Sequence, residues 1–212
     1  MATVIKADGV ISNPKLGKII TLQLLTTESC IRSADTELMG TTTNLYGGGS
    51  AYSWDGSTGL FVLSNLGLTN TLTTASGTTY LGMPSTKDMA LSFEAGTQGS
   101  EIIIDVRRIR TGDNYCYRLS MTSNNFAIQR RVSGSTGNGT FKKLPALVSG
   151  DKVYITFKGG IITVYINGVE VYTIDDSAYT DVQRAGVIAM SRGSAGGGAH
   201  TYIKNLQVFS LS

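Results

Sequence analysis

The sequence contains few of the side chains from which most metal and nucleophile sites are built. Its 212 residues include 2 cysteines and 1 histidine. A zinc site needs three or four ligands, and a serine hydrolase needs a base beside its nucleophile. Cys30 and Cys116 lie far apart, His200 stands alone, and no Gly-x-Ser-x-Gly turn is present. We therefore expect two free thiols, no metal ion, no cofactor and no catalytic residues.

The sequence also has only a small excess of positive charge and no long apolar run. The net charge is +3, from 18 basic and 15 acidic residues, which is too small for the electrostatic footprint of a nucleic-acid-binding protein. The clustered arginines are expected on solvated strand faces or paired with carboxylates: Arg107, Arg108, Arg110, Arg130 and Arg131. No apolar run reaches membrane-spanning length, and the first residues do not resemble a secretory signal. We expect no nucleic-acid binding, no membrane insertion and no export.

Glycine and turn-forming residues are abundant instead, with 26 glycines and only 16% charged residues. Short segments with apolar residues, such as 115–121, 126–132 and 202–211, are separated by turn signals. No segment has a sustained helical period. A hydrophobic content of 41% is ordinary for a globular domain, and the length suits one sandwich or barrel. The pattern predicts an all-β sandwich.

Residues 151–174 contain two favoured hairpin turns, Gly159-Gly160 and Asn167-Gly168, and therefore predict a three-stranded meander. If both turns close as two-residue loops, one face of the meander is aliphatic and belongs to the core. That register buries Val153, Ile155, Phe157, Ile162, Val164, Ile166 and Val171.

The opposite face of the meander is polar but aromatic. The same register pairs Tyr154 with Tyr165, and Thr156 with Thr163. It also places Glu170 and Tyr172 on this face. We predict that Tyr154, Tyr165, Tyr172 and Glu170 are ligand-binding residues, with the tyrosine rings stacking on a sugar.

The order of motifs resembles the concanavalin A-like lectin/glucanase superfamily, which includes laminin G-like domains. Four stretches carry the resemblance: residues 30–40 (CIRSADTELMG), 52–54 with 59–62 (YSW, GLFV), 150–157 with 162–168 (GDKVYITF, ITVYING) and 202–208 (YIKNLQV). Together they extend over most of residues 30–212. The resemblance implies a jelly-roll β-sandwich of two antiparallel sheets. Trp54, the sole tryptophan, is expected in the core rather than as a sugar platform.

Enzymes of this superfamily that cleave glycans place two carboxylates close together on one strand face. The nearest candidates here are Glu101 and Asp105, which would share a strand face but lie too far apart along it. We interpret both as surface charges, and expect no enzymatic activity. A calcium site could use Asp175, Asp176 and Ser177, or Asp113 and Asn114, but these residue types are also ordinary turn formers.

The first residues differ from the rest of the chain. Residues 1–29 precede the motifs and include the apolar pairs Val4-Ile5 and Val10-Ile11. Residues 30–212 are predicted to form the sandwich. We expect residues 1–29 to be an arm that contacts another subunit, although residues 19–25 could instead add an edge strand to the chain's own sheet.

Three functions of different classes remain. The first is a non-enzymatic structural or adhesion protein of a virus particle, such as a tail, fibre or head-surface component of a tailed bacteriophage. It would be made in the host cytoplasm, and its partners would be other virion proteins, copies of itself and a host-surface glycan. The second is a stand-alone carbohydrate-binding module, and the third, disfavoured by the missing acid pair, is a polysaccharide hydrolase.

Overall fold

The computed structural model describes the strands and some of the turns that join them. The described residues are 10–13, 18–30, 33–34, 36–37, 50, 54–56, 61–70, 78–81, 88–107, 115–132, 139–180, 188–192 and 201–212. Within these ranges all regular structure is β-strand, and no helix that could span a membrane is found. The strands form two antiparallel sheets, so the predicted all-β sandwich fold is confirmed.

The larger sheet has the order β15-β14-β13-β8-β17-β6-β5-β3, and β17 also pairs with β2, which pairs with β1. Its strands are β1 (Val10–Asn13), β2 (Lys18–Glu28), β3 (Thr36–Glu37), β5 (Phe61–Ser64), β6 (Gly67–Asn70), β8 (Met89–Ala95), β13 (Lys152–Lys158), β14 (Ile161–Ile166), β15 (Val169–Asp175) and β17 (Tyr202–Leu211).

The smaller sheet has the order β12-β11-β10-β9-β16-β7-β4. Its strands are β4 (Trp54–Gly56), β7 (Thr78–Leu81), β9 (Ile102–Val106), β10 (Cys116–Met121), β11 (Phe126–Arg131), β12 (Gly139–Leu144) and β16 (Ile188–Arg192).

The hydrophobic core lies between the two sheets, because alternate side chains of each strand point inward. Phe93 and Phe157 from the larger sheet and Leu119 and Phe126 from the smaller sheet are fully buried. Trp54 is also fully buried in this core, as predicted. Cys30 and Cys116 are buried and are not joined by a disulfide, as predicted.

The segment before residue 30 contributes two strands to the described structure. β2 pairs with β17 over most of its length, from Leu22 opposite Leu211 to Glu28 opposite Leu206, and β1 pairs with β2. Residues 18–28 therefore add a strand to the chain's own sheet. Val4 and Ile5 lie outside the described residues, and the contact with another subunit stays a prediction.

The predicted meander forms with both of its turns. Asn167 and Gly168 have positive φ angles of 52° and 78°, and Gly159 has a φ of 53°, as tight hairpin turns require. The pairs Phe157–Ile162, Ile155–Val164 and Val153–Ile166 occur as predicted. Across the second turn, Ile166 lies opposite Val169 and Tyr165 opposite Glu170, also as predicted.

The prediction for the far part of β15 was wrong. The register shifts at a β-bulge, so that Val164 lies opposite Tyr172 rather than Val171, and Thr163 lies opposite Thr173. Val171 is the extra residue, and it is 37% exposed instead of buried. Ile166 is only half-buried. A bulge inserts one residue into one strand of a pair, which reverses the faces of all residues beyond it.

The exposure of Val171 predicts different effects for the same substitution at two positions of this hairpin. Val164→Ala, at a fully buried position, should lower the free energy of unfolding by about 2 kcal/mol. Val171→Ala should change it by less than about 0.5 kcal/mol. Chemical denaturation of both variants checks this, and equal losses would mean that Val171 packs in the core.

Candidate functional site

One row of side chains crosses the outer face of the larger sheet, with one residue from each of five adjacent strands. In order they are Gln207, Ser92, Tyr154, Tyr165 and Glu170, and each lies directly opposite the next. Four inter-strand spacings of about 4.8 Å give the row a length of about 19 Å. We name these five residues the tyrosine row. It brings together three of the four predicted site residues, and adds Gln207 and Ser92, which the sequence reasoning missed.

Tyr154 is the most deeply buried member of the tyrosine row, with 6% of its surface exposed. It packs with Leu22, Ala90 and Leu211 in a small apolar cluster on this outer face. Its ring centroid lies 5.9 Å from that of Tyr165, and 6.4 Å from that of Phe209 in an edge-on arrangement. The ring is thus held by neighbours on both sides, in geometries that aromatic pairs favour.

The hydroxyl of Tyr154 has no hydrogen-bond partner within the described structure, although its oxygen is buried. Burial, and secondarily the neighbouring Tyr165, raises the pKa of this phenol, so it stays protonated at neutral pH and can donate. Leaving such a group unpaired costs about 1–3 kcal/mol. A polar group that folding leaves unsatisfied at this cost is suited to bind a ligand hydroxyl.

Tyr165 and Glu170 form the accessible end of the tyrosine row. Tyr165 is half-buried, and burial followed by the negative charge of Glu170 raises the pKa of its phenol. Glu170 is exposed, and one of its carboxylate oxygens lies 3.0 Å from Thr173 Oγ1. Thr173 Oγ1 in turn lies 3.1 Å from Thr163 Oγ1. These contacts orient the carboxylate beside a half-open aromatic ring.

Tyr172 does not belong to this face, contrary to the prediction. The bulge places it opposite Val164, and its ring packs against the core between the sheets. The sequence signal for the first part of β15 was correct, since Glu170 does lie opposite Tyr165. The hairpin turn alone could not show that an extra residue follows.

The smaller sheet carries a second polar cluster, on the face turned away from the core. Arg118 donates two hydrogen bonds to Asp105, of 2.7 and 2.9 Å, and the hydroxyl of Ser120 donates to Glu101. Asp105 is fully buried, so its interpretation as a surface charge was wrong. Pairing with Arg118 offsets the cost of burying that carboxylate.

Glu101 and Asp105 do not form the acid pair of a glycoside hydrolase. Four residues along one strand separate them by about 13 Å, more than the roughly 5–9.5 Å that retaining and inverting mechanisms need. Each carboxylate is also engaged by a side chain of β10. The cluster therefore supports packing of the sheet rather than acid–base chemistry.

Asp176 is engaged by hydrogen bonds within the fold. It accepts hydrogen bonds from Tyr117 Oη at 3.1 Å, from Arg130 at 2.9 Å and from the backbone N–H of Ala178 at 2.9 Å. No group of three potential metal ligands occurs among the residues that the structure describes. Asp113, Asn114 and His200 lie outside them.

Arg107, predicted on a solvated strand face or paired with a carboxylate, is fully buried and paired with Asp88. Its guanidinium donates to the carbonyl of Gly159 at 2.7 Å and to Asp88 at 3.3 Å. Burial lowers its pKa, against the opposing effects of Tyr117 and Asp88. Arg130 also pairs within the protein, with Asp176 at 2.9 Å. Arg108 and Arg110 lie outside the described residues.

Comparisons with known proteins identify the fold. No protein-family model matches the sequence, and no curated protein matches it. The chain is similar in structure to carbohydrate-binding module CBM66 from Bacillus subtilis, with a TM-score of 0.53 and 10% identity over 84% of this chain and 96% of that one. It is also similar to botulinum neurotoxin type C, which depends on interaction with two ganglioside molecules to enter cells. There the TM-score is 0.54, with 13% identity over 83% of this chain.

This chain spans only 47% of the neurotoxin chain. A third similar structure is a carbohydrate esterase from the Shiga toxin-encoding bacteriophage phi24B, with a TM-score of 0.50 and 11% identity. That match covers 90% of this chain and 100% of that one. At such identities the similarity shows the fold alone, which is the lectin-like jelly-roll β-sandwich that the sequence motifs predicted.

Two buried tyrosines give contrasting predictions. Tyr117 Oη donates to the carbonyl of Asp176 at 2.8 Å, so Tyr117→Phe should lower the free energy of unfolding by about 1–3 kcal/mol. Tyr154→Phe removes a hydroxyl without a partner and should change it by less than about 0.5 kcal/mol, or raise it. Denaturation at neutral pH compares the two variants, and a large loss in Tyr154→Phe would contradict the assignment.

Tyr117 and Tyr154 also predict how the free energy of unfolding depends on pH. Burial raises the pKa of both phenols in the folded state, whereas in the unfolded state they ionise near pH 10. The stability that these protonated phenols contribute is therefore fully present below about pH 10 and is lost above it, by up to about 1.4 kcal/mol per pH unit for each such tyrosine. Tyr154→Phe should reduce this alkaline loss, which denaturation at a series of alkaline pH values measures.

Proposed function

We propose that this chain is a non-catalytic carbohydrate-binding protein, and that the tyrosine row is its glycan site. The observation that carries the proposal is the buried, unpaired hydroxyl of Tyr154 beside the half-open ring of Tyr165. A sugar hydroxyl can accept a hydrogen bond from Tyr154 Oη. Binding would then recover part of the free energy that folding leaves unsatisfied.

The remaining members of the tyrosine row supply the other chemistry that sugars need. The Tyr165 ring offers an apolar face with a polar tip, against which the C–H face of a sugar ring can pack. The Glu170 carboxylate accepts hydrogen bonds from sugar hydroxyls, and such charge-assisted bonds are stronger than neutral ones. Ser92 and Gln207 extend the hydrogen-bonding surface on the far side of Tyr154. Because Tyr154 Oη is buried, the side chains that cover it must move for a sugar to reach it.

Two further considerations support this function. A carbohydrate-binding module, CBM66, is among the proteins of similar structure. The carboxylates that could act in hydrolysis are held by Arg118 and Ser120 on the other sheet. Sugar binding without cleavage agrees with the similarity to CBM66 and with the engagement of these carboxylates.

A glycan array followed by calorimetric titration of the best-bound saccharide tests the proposal. Tyr165→Ala should weaken binding at least about tenfold, and Tyr154→Phe about fivefold, since it loses one hydrogen bond without losing stability. Tyr172→Phe is the matched control, because Tyr172 packs on the core side, and its affinity should equal that of the parent protein.

No binding on the array, or equal affinity of Tyr165→Ala and Tyr172→Phe, would contradict the glycan site. The saccharide should be recovered intact after incubation. Its cleavage by the purified protein would contradict a non-catalytic function.

We further propose that the protein works on a virus particle, as a structural or adhesion component of a tailed bacteriophage that is assembled in the host cytoplasm. The observation that favours this setting is the similarity to the esterase of bacteriophage phi24B over the whole length of that chain. A glycan site on such a particle would contact the host surface. Residues 1–29 are then candidates for contacts with other virion proteins.

Mass spectrometry of purified virus particles tests this setting. Peptides of this chain should be found at a constant ratio to the major capsid protein through successive purification steps. Their loss during purification, or their presence only in the lysate, would contradict a virion component without affecting the glycan site.

A further inference from the structure

One flank of the sandwich carries an edge strand from each sheet. β12 ends the smaller sheet and β15 ends the larger one, and the two strands contact each other across the sandwich. Among the described strands, β12 pairs only with β11 and β15 only with β14. Each strand therefore presents one row of backbone groups that no described strand occupies, which is a template for pairing with another chain. We name this surface the β12–β15 flank.

The β12–β15 flank also exposes apolar side chains. Val169 is 64% exposed at the start of β15, and Val171 is exposed because of the bulge. Val148 is 65% exposed. Its backbone N–H donates a hydrogen bond to the Asp151 carboxylate, which also accepts one from the Asn167 side chain in the turn before β15. Valines exposed at a strand edge that no described strand occupies provide an apolar surface for contact with another chain.

Charges on the two edge strands are complementary. β12 exposes Lys142 and Lys143, whereas β15 exposes Glu170 and Asp175. Opposite edges of different copies could therefore attract each other, whereas two copies of β15 brought edge to edge would place like charges together. This pattern selects a second copy of the same chain, in an orientation that sets β12 against β15.

We propose that two copies of this chain form a two-fold dimer through the β12–β15 flank, with β12 of each copy against β15 of the other. Since both edge strands lie on the same flank, a two-fold axis makes both junctions at once, as a closed dimer requires. A stable interface buries about 800 Å² on each partner, more than three valines supply, so pairing of the edge strands provides the remainder. This inference does not depend on glycan binding.

Analytical ultracentrifugation of the full chain, over a range of concentrations, tests the dimer. The parent protein should sediment as a dimer. Val169→Lys should weaken dimerisation at least about 100-fold, because each of the two copies loses a valine from the interface and places a cation against Lys142 and Lys143 of the other copy. Leu66→Lys is the matched control. Leu66 is 54% exposed on the turn between β5 and β6, outside the flank, and its variant should remain a dimer.

A charge exchange tests the orientation. Lys143→Glu should dissociate the dimer, and adding Asp175→Lys should restore it at least in part. Circular dichroism confirms that each variant is folded. A parent protein that is monomeric up to millimolar concentration, or equal dissociation of Val169→Lys and Leu66→Lys, would overturn the proposal. Loss of the dimer on deletion of residues 1–17, with Val169→Lys still dimeric, would assign the contact to the arm instead.

Discussion

The buried guanidinium of Arg107 is the contact on which the arrangement of the two sheets depends. Arg107 follows directly after β9 of the smaller sheet, and its donors reach Gly159 in the β13–β14 turn and Asp88 before β8. Asp88 also accepts the backbone N–H of Gly159 at 2.8 Å. A buried charge that loses its partner costs about 3–5 kcal/mol, so these three elements of both sheets must keep their positions together. The positive φ of 50° at Arg107 is maintained by the same contacts.

The tyrosine row depends on that arrangement, because two of its strands are β8 and β13. Once Arg107 fixes the ends of these strands, the two-residue alternation of a strand decides which side chains face outward. Ser92 and Tyr154 then lie opposite each other, with Phe93 and Val153 directed to the core. The core packing and the polar outer face are two consequences of one register, and a one-residue slip would exchange them.

The sequence predicts those parts of the fold that local rules decide. The Asn167-Gly168 and Gly159-Gly160 turns define the hairpins, and alternation then gives the Tyr154–Tyr165 pair and the buried Phe157. Asp105 was misplaced because its burial depends on Arg118, thirteen positions away on the next strand, and no local pattern reports such a partner. Ser92 and Gln207 were missed for the same reason, since membership of the row follows from pairing between distant strands.

The bulge in β15 joins these findings, because a single extra residue changes the positions of Val171 and Tyr172. Before it, Glu170 stays opposite Tyr165 and completes the polar outer face. After it, the reversed alternation turns Tyr172 inward, where its ring packs against the core. Val171 itself has no opposite residue on β14 and is 37% exposed. A regular hairpin would bury Val171 and expose Tyr172, which would enlarge the aromatic face but remove an apolar side chain from the β12–β15 flank. The bulge therefore separates the polar tyrosine row on the sheet face from the exposed valines of the β12–β15 flank.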